Sequence, residues 1–308
     1  MVGATVAPVP EPTLSDLLRP SFDRITTPVV ALVVALAAGL YVLGVRRLGA
    51  KGRRWPAGRS SAAGGALAVI VFATQTGVDR YSTTLFTAHM VQHVLLGMVA
   101  PLLLALAAPV TLALQASGRT TQTTLLGLLQ RRPVAVLTHP VAGWILFGGT
   151  LVALYYTALF ELSLRNEVVH SMVHVHLLAV GSIFVWPLVG ADPVRGRLPH
   201  GARLLAVLLA VPFHAFVGIA LLGAEELLAG GFYAEAGRDW GPSVLEDQRS
   251  AAGILWASGD VFGLVLAAVV FVGWVAADER AARRADRLLD AAATAGDTPG
   301  REVERNPS

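Results

Sequence analysis

Residues 87–114 read "TAHMVQHVLLGMVAPLLLALAAPVTLAL". The stretch is apolar enough to dissolve in lipid, yet His89, Gln92 and His93 crowd its front end. At about 1.5 Å per residue a helix of this length exceeds the roughly 30 Å hydrocarbon core of a bilayer. It therefore reads as a membrane-spanning helix, with kinks expected at Pro101 and Pro109, where the proline ring removes a backbone donor.

Other runs of the same kind lie on both sides. Apolar segments at roughly 26–45, 62–78, 140–160, 170–190, 203–223 and 251–276 complete a set of seven, the second of them short. The composition agrees: of 308 residues 54% are hydrophobic and 15% charged, well short of the charge a soluble domain carries. The fold class expected is all-α, a polytopic membrane protein of about seven transmembrane helices. No internal repeat is visible.

Charge placement sets the expected orientation. Arg46, Arg47, Lys51, Arg53, Arg54 and Arg59 follow the first run. Arg119, Arg131 and Arg132, then Arg195, Arg197 and Arg203, then Arg280, Arg283, Arg284 and Arg287 mark later connections on the same side. By the positive-inside rule the N-terminus is outside and the C-terminus cytoplasmic. The organisation expected is an external N-terminal segment over 1–25, a seven-span domain over 26–276 and a cytoplasmic tail over 277–308. The tail should begin as a helix and end in disorder. The first 20 residues hold prolines and acids with no basic stretch at the front, unlike a secretory signal. The external connection 224–250 is long enough to form a lid.

Ionisable groups inside spans are costly, so their positions carry information. His89 and His93 stand one helical turn apart, as do His170 and His174, and each pair shares a helix face. His176 points nearly opposite His174. His214 lies near the middle of the sixth run, Asp247 at the entrance of the seventh and Asp260 deeper in it. His139 and His200 fall on the cytoplasmic side and read as structural. Imidazoles facing a bundle interior can bind a metal, ligate haem or relay protons. The chain has no cysteine, which removes disulfides and thiolate sites and leaves His and Met for a soft metal. Met90, Met98 and Met172 lie in the histidine-bearing runs; they read as packing groups first and ligands second. Asp260 reads equally as a proton group or as a partner to a neighbouring helix. No nucleophile–base arrangement, phosphate loop or nucleic-acid-binding pattern is present, so the chain is not read as an enzyme.

Four stretches resemble one family: "AHMVQHVLLGMVAPLLLALAAPVTL" (88–112), "VVHSMVHVHLLAVGSIFVWPLVGADPVRGRLP" (168–199), "VPFHAFVGIAL" (211–221) and "LEDQRSAAGILWASGD" (245–260). In this order, within a seven-span layout over about 30–276, they resemble the CtaG-type, caa-type cytochrome c oxidase assembly factors. The resemblance implies a plasma-membrane protein that helps mature the terminal oxidase of a respiratory chain, with copper as the metal handled. Its family-like polar positions are His89, His93, His170, His174, His176, His214 and Asp247. The metal-site candidates are those six histidines, with Met90, Met172, Asp247 and Asp260 as additional polar or ligand groups. The expected partners are an oxidase subunit or a copper donor protein, together with the lipid bilayer. High Ala, Arg and Gly usage fits an actinobacterium. Two other readings stay open: a haem-binding electron carrier, and a copper or proton transport protein using Asp260 and His214.

Overall fold

The computed structural model describes residues 9–22, 24, 26–193 and 198–296, with side chains up to 291. A short helix α1 (Leu14–Leu18), capped by the Thr13 hydroxyl, precedes the first long helix α2 (Thr27–Ala50). Then come α3 (Ala57–Thr74) and the short α4 (Gly77–Tyr81), capped by Thr76. The opening stretch is not one helix. It is α5 (Phe86–Val94), a π-helical turn at Leu95–Val99, α6 (Ala100–Ala107) and α7 (Pro109–Ala116).

Both expected kinks have a physical cause in that assembly. A proline at 101 cannot donate to the Gly97 carbonyl, and its ring would crowd that oxygen. The π-turn just before it absorbs the conflict, with the Ala100 N–H reaching Leu95. At Ala108 the chain turns left-handed (φ 48°, ψ 54°), and Pro109 starts the next helix with its φ already set.

The basic connection after α7 carries α8 (Arg119–Leu129) and α9 (Arg132–Leu137). α10 (Pro140–Tyr155) and α11 (Leu159–Arg165) follow, bent by 71° at the break between them. The single run expected over 140–160 is thus a broken pair. α10 has 16 residues, about 24 Å, short of the bilayer core. Then come α12 (Glu167–Val189) and α13 (His200–Leu222), both longer at the front than the apolar runs suggested. A 3-10 turn at Ala229–Gly231 and α14 (Phe232–Glu235) lead to α15 (Val244–Gly296). The disorder expected at the end of the tail, and Arg195 and Arg197, lie outside the described residues.

Six helical segments are long and apolar enough to cross a membrane, and α10 with α11 makes seven if the bent pair is one span. The chain is a multi-pass, all-helical membrane protein, with no strand among the described residues. α13 packs along α15, which also meets α5; α12 packs on α6 and α10; α3 packs on α6. Van der Waals fit drives such packing, since lipid is as apolar as the helices. Gly181 shows how close it gets: a Cβ there would overlap the Gly97 carbonyl and come 2.8 Å from the Pro101 ring. The carbonyl that the proline deprives of its N–H is where α12 comes nearest. By contrast α2 leans outward, with Val29, Leu32, Val33, Leu36 and Leu40 all exposed.

Candidate metal site

The i,i+4 pairs on α5 and α12 face each other. Ring centroids are 4.0 Å apart for His89–His93 and 4.3 Å for His170–His174. Across the helices, His89–His170 is 5.3 Å and His93–His174 is 6.0 Å. Four imidazoles from two helices thus form one contiguous cluster. His89, His93 and His170 are buried and His174 is partly buried.

Most of their nitrogens have no protein partner. Both nitrogens of His89 and the Nε2 atoms of His93, His170 and His174 are enclosed without a hydrogen bond, as is Oε1 of Gln92. A neutral imidazole carries one donor and one acceptor, and an unpaired buried polar group costs on the order of 1–3 kcal/mol. Several at one point form a set of groups that a bound cation would satisfy. His93 shows which of its atoms faces inward. Tyr155 Oη donates to Met90 Sδ at 3.4 Å and lies 3.1 Å from His93 Nδ1. His93 Nδ1 is thus engaged by Tyr155, and Nε2 is the nitrogen left without a protein partner.

A residue the sequence reading missed completes the cluster. One ligand atom each from Asp79, His170 and His174 lie within 4.8 Å of one another, all in buried surroundings. Asp79 sits on α4, outside the long helices. Arg24 Nε pairs with its carboxylate, while Arg24 Nη2 donates to the Asp79 carbonyl (3.1 Å) and to Ser82 Oγ (3.3 Å). Gln92 Nε2 donates to Asp79 Oδ1 and to the Ala73 carbonyl, both at 2.7 Å. Burial pushes the Asp79 carboxyl up, against the opposing pull of Arg24 and Gln92. The available signal was a lone acid in a short connection between two apolar runs.

The remaining candidates are placed elsewhere. His176 is exposed and lies 2.9 Å from Thr150 Oγ1, because two residues of helix rotate it about 200° from His174. Met172 is 65% exposed on α12, away from the cluster. His214 is buried against Gly259, where a Cβ would overlap its ring, and stacks at 6.2 Å on Phe147. It lines a small cavity of about 20 Å³ together with Met98. Asp260 is exposed on α15, whereas its neighbour Gly259 packs on His214. Asp247 caps α5 from another helix, accepting from Phe86 N at 2.7 Å, Thr87 N at 3.2 Å and the Thr87 hydroxyl. Arg238 lies 3.7 Å from it. His139 caps α10 through Val141 N, and His200 stacks on Trp274.

The connection after α13 closes over the cluster. Tyr233 stacks on Phe86 at 5.2 Å and donates to the Ser82 carbonyl at 3.1 Å. Phe160 packs 5.3 Å from His89. Gln248 holds the start of the lid, accepting from Leu228 N and donating to the Glu226 carbonyl. Arg165 makes a two-pronged pair with Glu235, at 2.7 and 3.0 Å, and a further bond to Glu161.

The profile of the cytochrome c oxidase caa3 assembly factors (Caa3_CtaG) matches residues 39–277. An uncharacterized protein of Mycobacterium bovis and one of Mycobacterium tuberculosis are each 33% identical over 286 residues, covering 91% of this chain and 43% of theirs. An uncharacterized protein of Mycobacterium leprae is 34% identical over 267 residues, 84% of this chain and 40% of its own. The chain thus spans less than half the length of these relatives. No solved structure matches it.

Proposed function

The chain belongs to the cytochrome c oxidase caa3 assembly factor family, and from that premise we propose that it helps mature an oxidase by binding and delivering copper. The observation that supports this reading is the set of enclosed, unpartnered nitrogens on His89, His93, His170 and His174. Copper is the cargo here. Imidazole suits it. Nε2 of His93 has no protein partner, and Asp79 adds a carboxylate beside His170 and His174. Two adjacent histidine pairs let the ion shift between ligands, which is how a few-coordinate metal is handed to an acceptor. The acceptor is an oxidase subunit; the donor is a copper-bearing protein or the external medium.

The membrane is the plasma membrane, and the histidine end faces outward. Lys51 Nζ donates to the carbonyls of Gln115, Ala116 and Ser117, which brings two of the basic connections to one end of the bundle. The cluster sits at the other end, beside Asp79 and the lid. The positive-inside rule makes the basic end cytoplasmic.

The test is a Cu(I) titration of protein purified in mild detergent, against a chromophoric chelator. The unaltered protein should compete for copper saturably. His93→Ala, His170→Ala and His174→Ala should each weaken binding by about tenfold or more, equivalent to about 1.4 kcal/mol. His176→Ala and Met172→Leu should bind as the unaltered protein does. Equal losses at His176 and His174 would refute the site. A Soret band in the same preparation would turn the reading to haem.

A further inference from the structure

A cavity of about 410 Å³ lies between α2, α3, α6 and α12. That is within the 300–1,000 Å³ range typical of small-molecule sites. One end is polar, where Arg24, Thr26, Asp79, Ser171 and His174 converge. The walls running away from that end are aliphatic, with Val30, Val34 and Ala37 on α2 facing Leu67 and Leu104. Val29, Val33 and Val175 line it while remaining 63%, 58% and 69% exposed. The space therefore opens sideways, between α2 and α12, onto the surface that meets lipid.

We infer that this cavity binds a neutral single-chain amphiphile of the isoprenoid quinone or quinol class, ring toward His174 and tail along α2. The neutrality follows from the charges present. Arg24 is already paired with Asp79, so the polar end holds no spare cation for a phosphate head. What it does hold is uncharged hydrogen-bonding capacity. Ser171 Oγ donates to Thr26 Oγ1 at 3.0 Å, and both hydroxyls line the cavity with no other side-chain hydrogen bond among the described residues. A ring hydroxyl can donate to Ser171 Oγ, and a ring carbonyl can accept from the Thr26 hydroxyl, whose proton the Ser171 bond leaves unused. The branched walls of valine and leucine suit a methyl-branched tail, and the lateral opening gives entry from the bilayer without disturbing the lid. The cavity meets the metal cluster at His174 and Asp79, but with Ser171 and Thr26 holding the ring its binding does not draw on the His174 lone pair that copper would take.

The experiment uses the full chain in phospholipid nanodiscs, with an isoprenoid-tailed naphthoquinone as probe. Native mass spectrometry should show a single quinone retained per chain, saturably. Val34→Trp fills the middle of the cavity, and Val30→Phe fills it more gently in case the larger change impairs folding. Each should lower quinone retention by about tenfold, while copper titration stays unchanged because no histidine is touched. A diazirine on the ring should label residues near His174, and one on the tail should label α2 near Ala37. Retention undiminished in both variants, no retention by the unaltered protein, or retained phospholipid in place of quinone would each overturn the inference.

Discussion

Asp247 illustrates how an intramembrane acid earns its place without touching a ligand. Its carboxylate satisfies the first two N–H groups of α5, which have no partner within their own helix. Asp192 does the same for α7, accepting from Thr111 N at 2.6 Å, from the Thr111 hydroxyl and from Trp186 Nε1 at 3.0 Å. Both acids lie in stretches that carried the family resemblance, yet each works as a helix cap supplied by another part of the chain. Asp247→Ala and Asp192→Ala should therefore each lose about 1–2 kcal/mol of stability. Asp260→Asn, at an exposed position, should lose none. Thermal unfolding in detergent would show it, and an unchanged midpoint for Asp247→Ala would remove the cap from the account. The histidine pairs were legible because i,i+4 spacing alone puts two rings on one face. Asp79 was not, because its closeness to His170 depends on how α4 folds back against α5, and no periodicity encodes that. His176 fell out of the cluster by the same helical geometry that brought His174 into it.

At the scale of elements, apolar length located the helices, and the prolines located the breaks. What length could not show was the 71° bend after Tyr155 or the π-turn before Pro101, since both depend on how backbone groups find partners once helices pack. The lid over 224–243 shows the same limit: its length suggested a cover, but its anchors came only from tertiary contacts. One anchor is titratable. The Arg165 guanidinium holds the Glu235 carboxyl below its ordinary value of 4.5 and is itself pushed up in return. A depressed carboxylate contributes stability that is present above the unfolded pKa and lost as pH falls through the folded one. The pair is exposed, so the contribution is small and screened by salt. Arg165→Ala should thus make the lid more susceptible to protease cleavage near neutral pH in low salt. The difference from the unaltered protein should fade as pH falls below the ordinary value of 4.5 and on through the lower value held by Arg165, where Glu235 becomes neutral in both. A difference that persists undiminished at acid pH would assign the effect to packing of Arg165 on Phe232, whose ring centroid lies 5.6 Å from the guanidinium carbon.

Over the whole molecule, the two ends of the bundle differ in kind. One end gathers the histidine cluster, Asp79 and the lid. The other gathers Arg46, Arg47, Lys51 and the basic connection after α7, tied together through Lys51. α15 runs through both: its 53 residues span about 80 Å, so a bilayer of about 30 Å takes up less than half of it. Its first turn, with Asp247, caps α5 at the histidine end. Its later part, with Arg280, Arg283, Arg284 and Arg287, must then project beyond the basic end as a solvated helix, where Leu288 and Leu289 are 67% and 69% exposed. That geometry fixes which segments share a side, and the positive-inside rule predicts that the basic end is the cytoplasmic one. Reporter fusions at Arg132 and Ala202 should therefore report the cytoplasm, and a fusion at Gly237, in the lid, should report the exterior. Because Lys51 joins the first and second basic connections, Arg132 and a fusion at Arg54 must agree with each other whatever the orientation. Exterior signals at Arg132 and Ala202, with a cytoplasmic signal at Gly237, would keep the fold but turn the histidine cluster inward, so that copper would be taken from the cytoplasm.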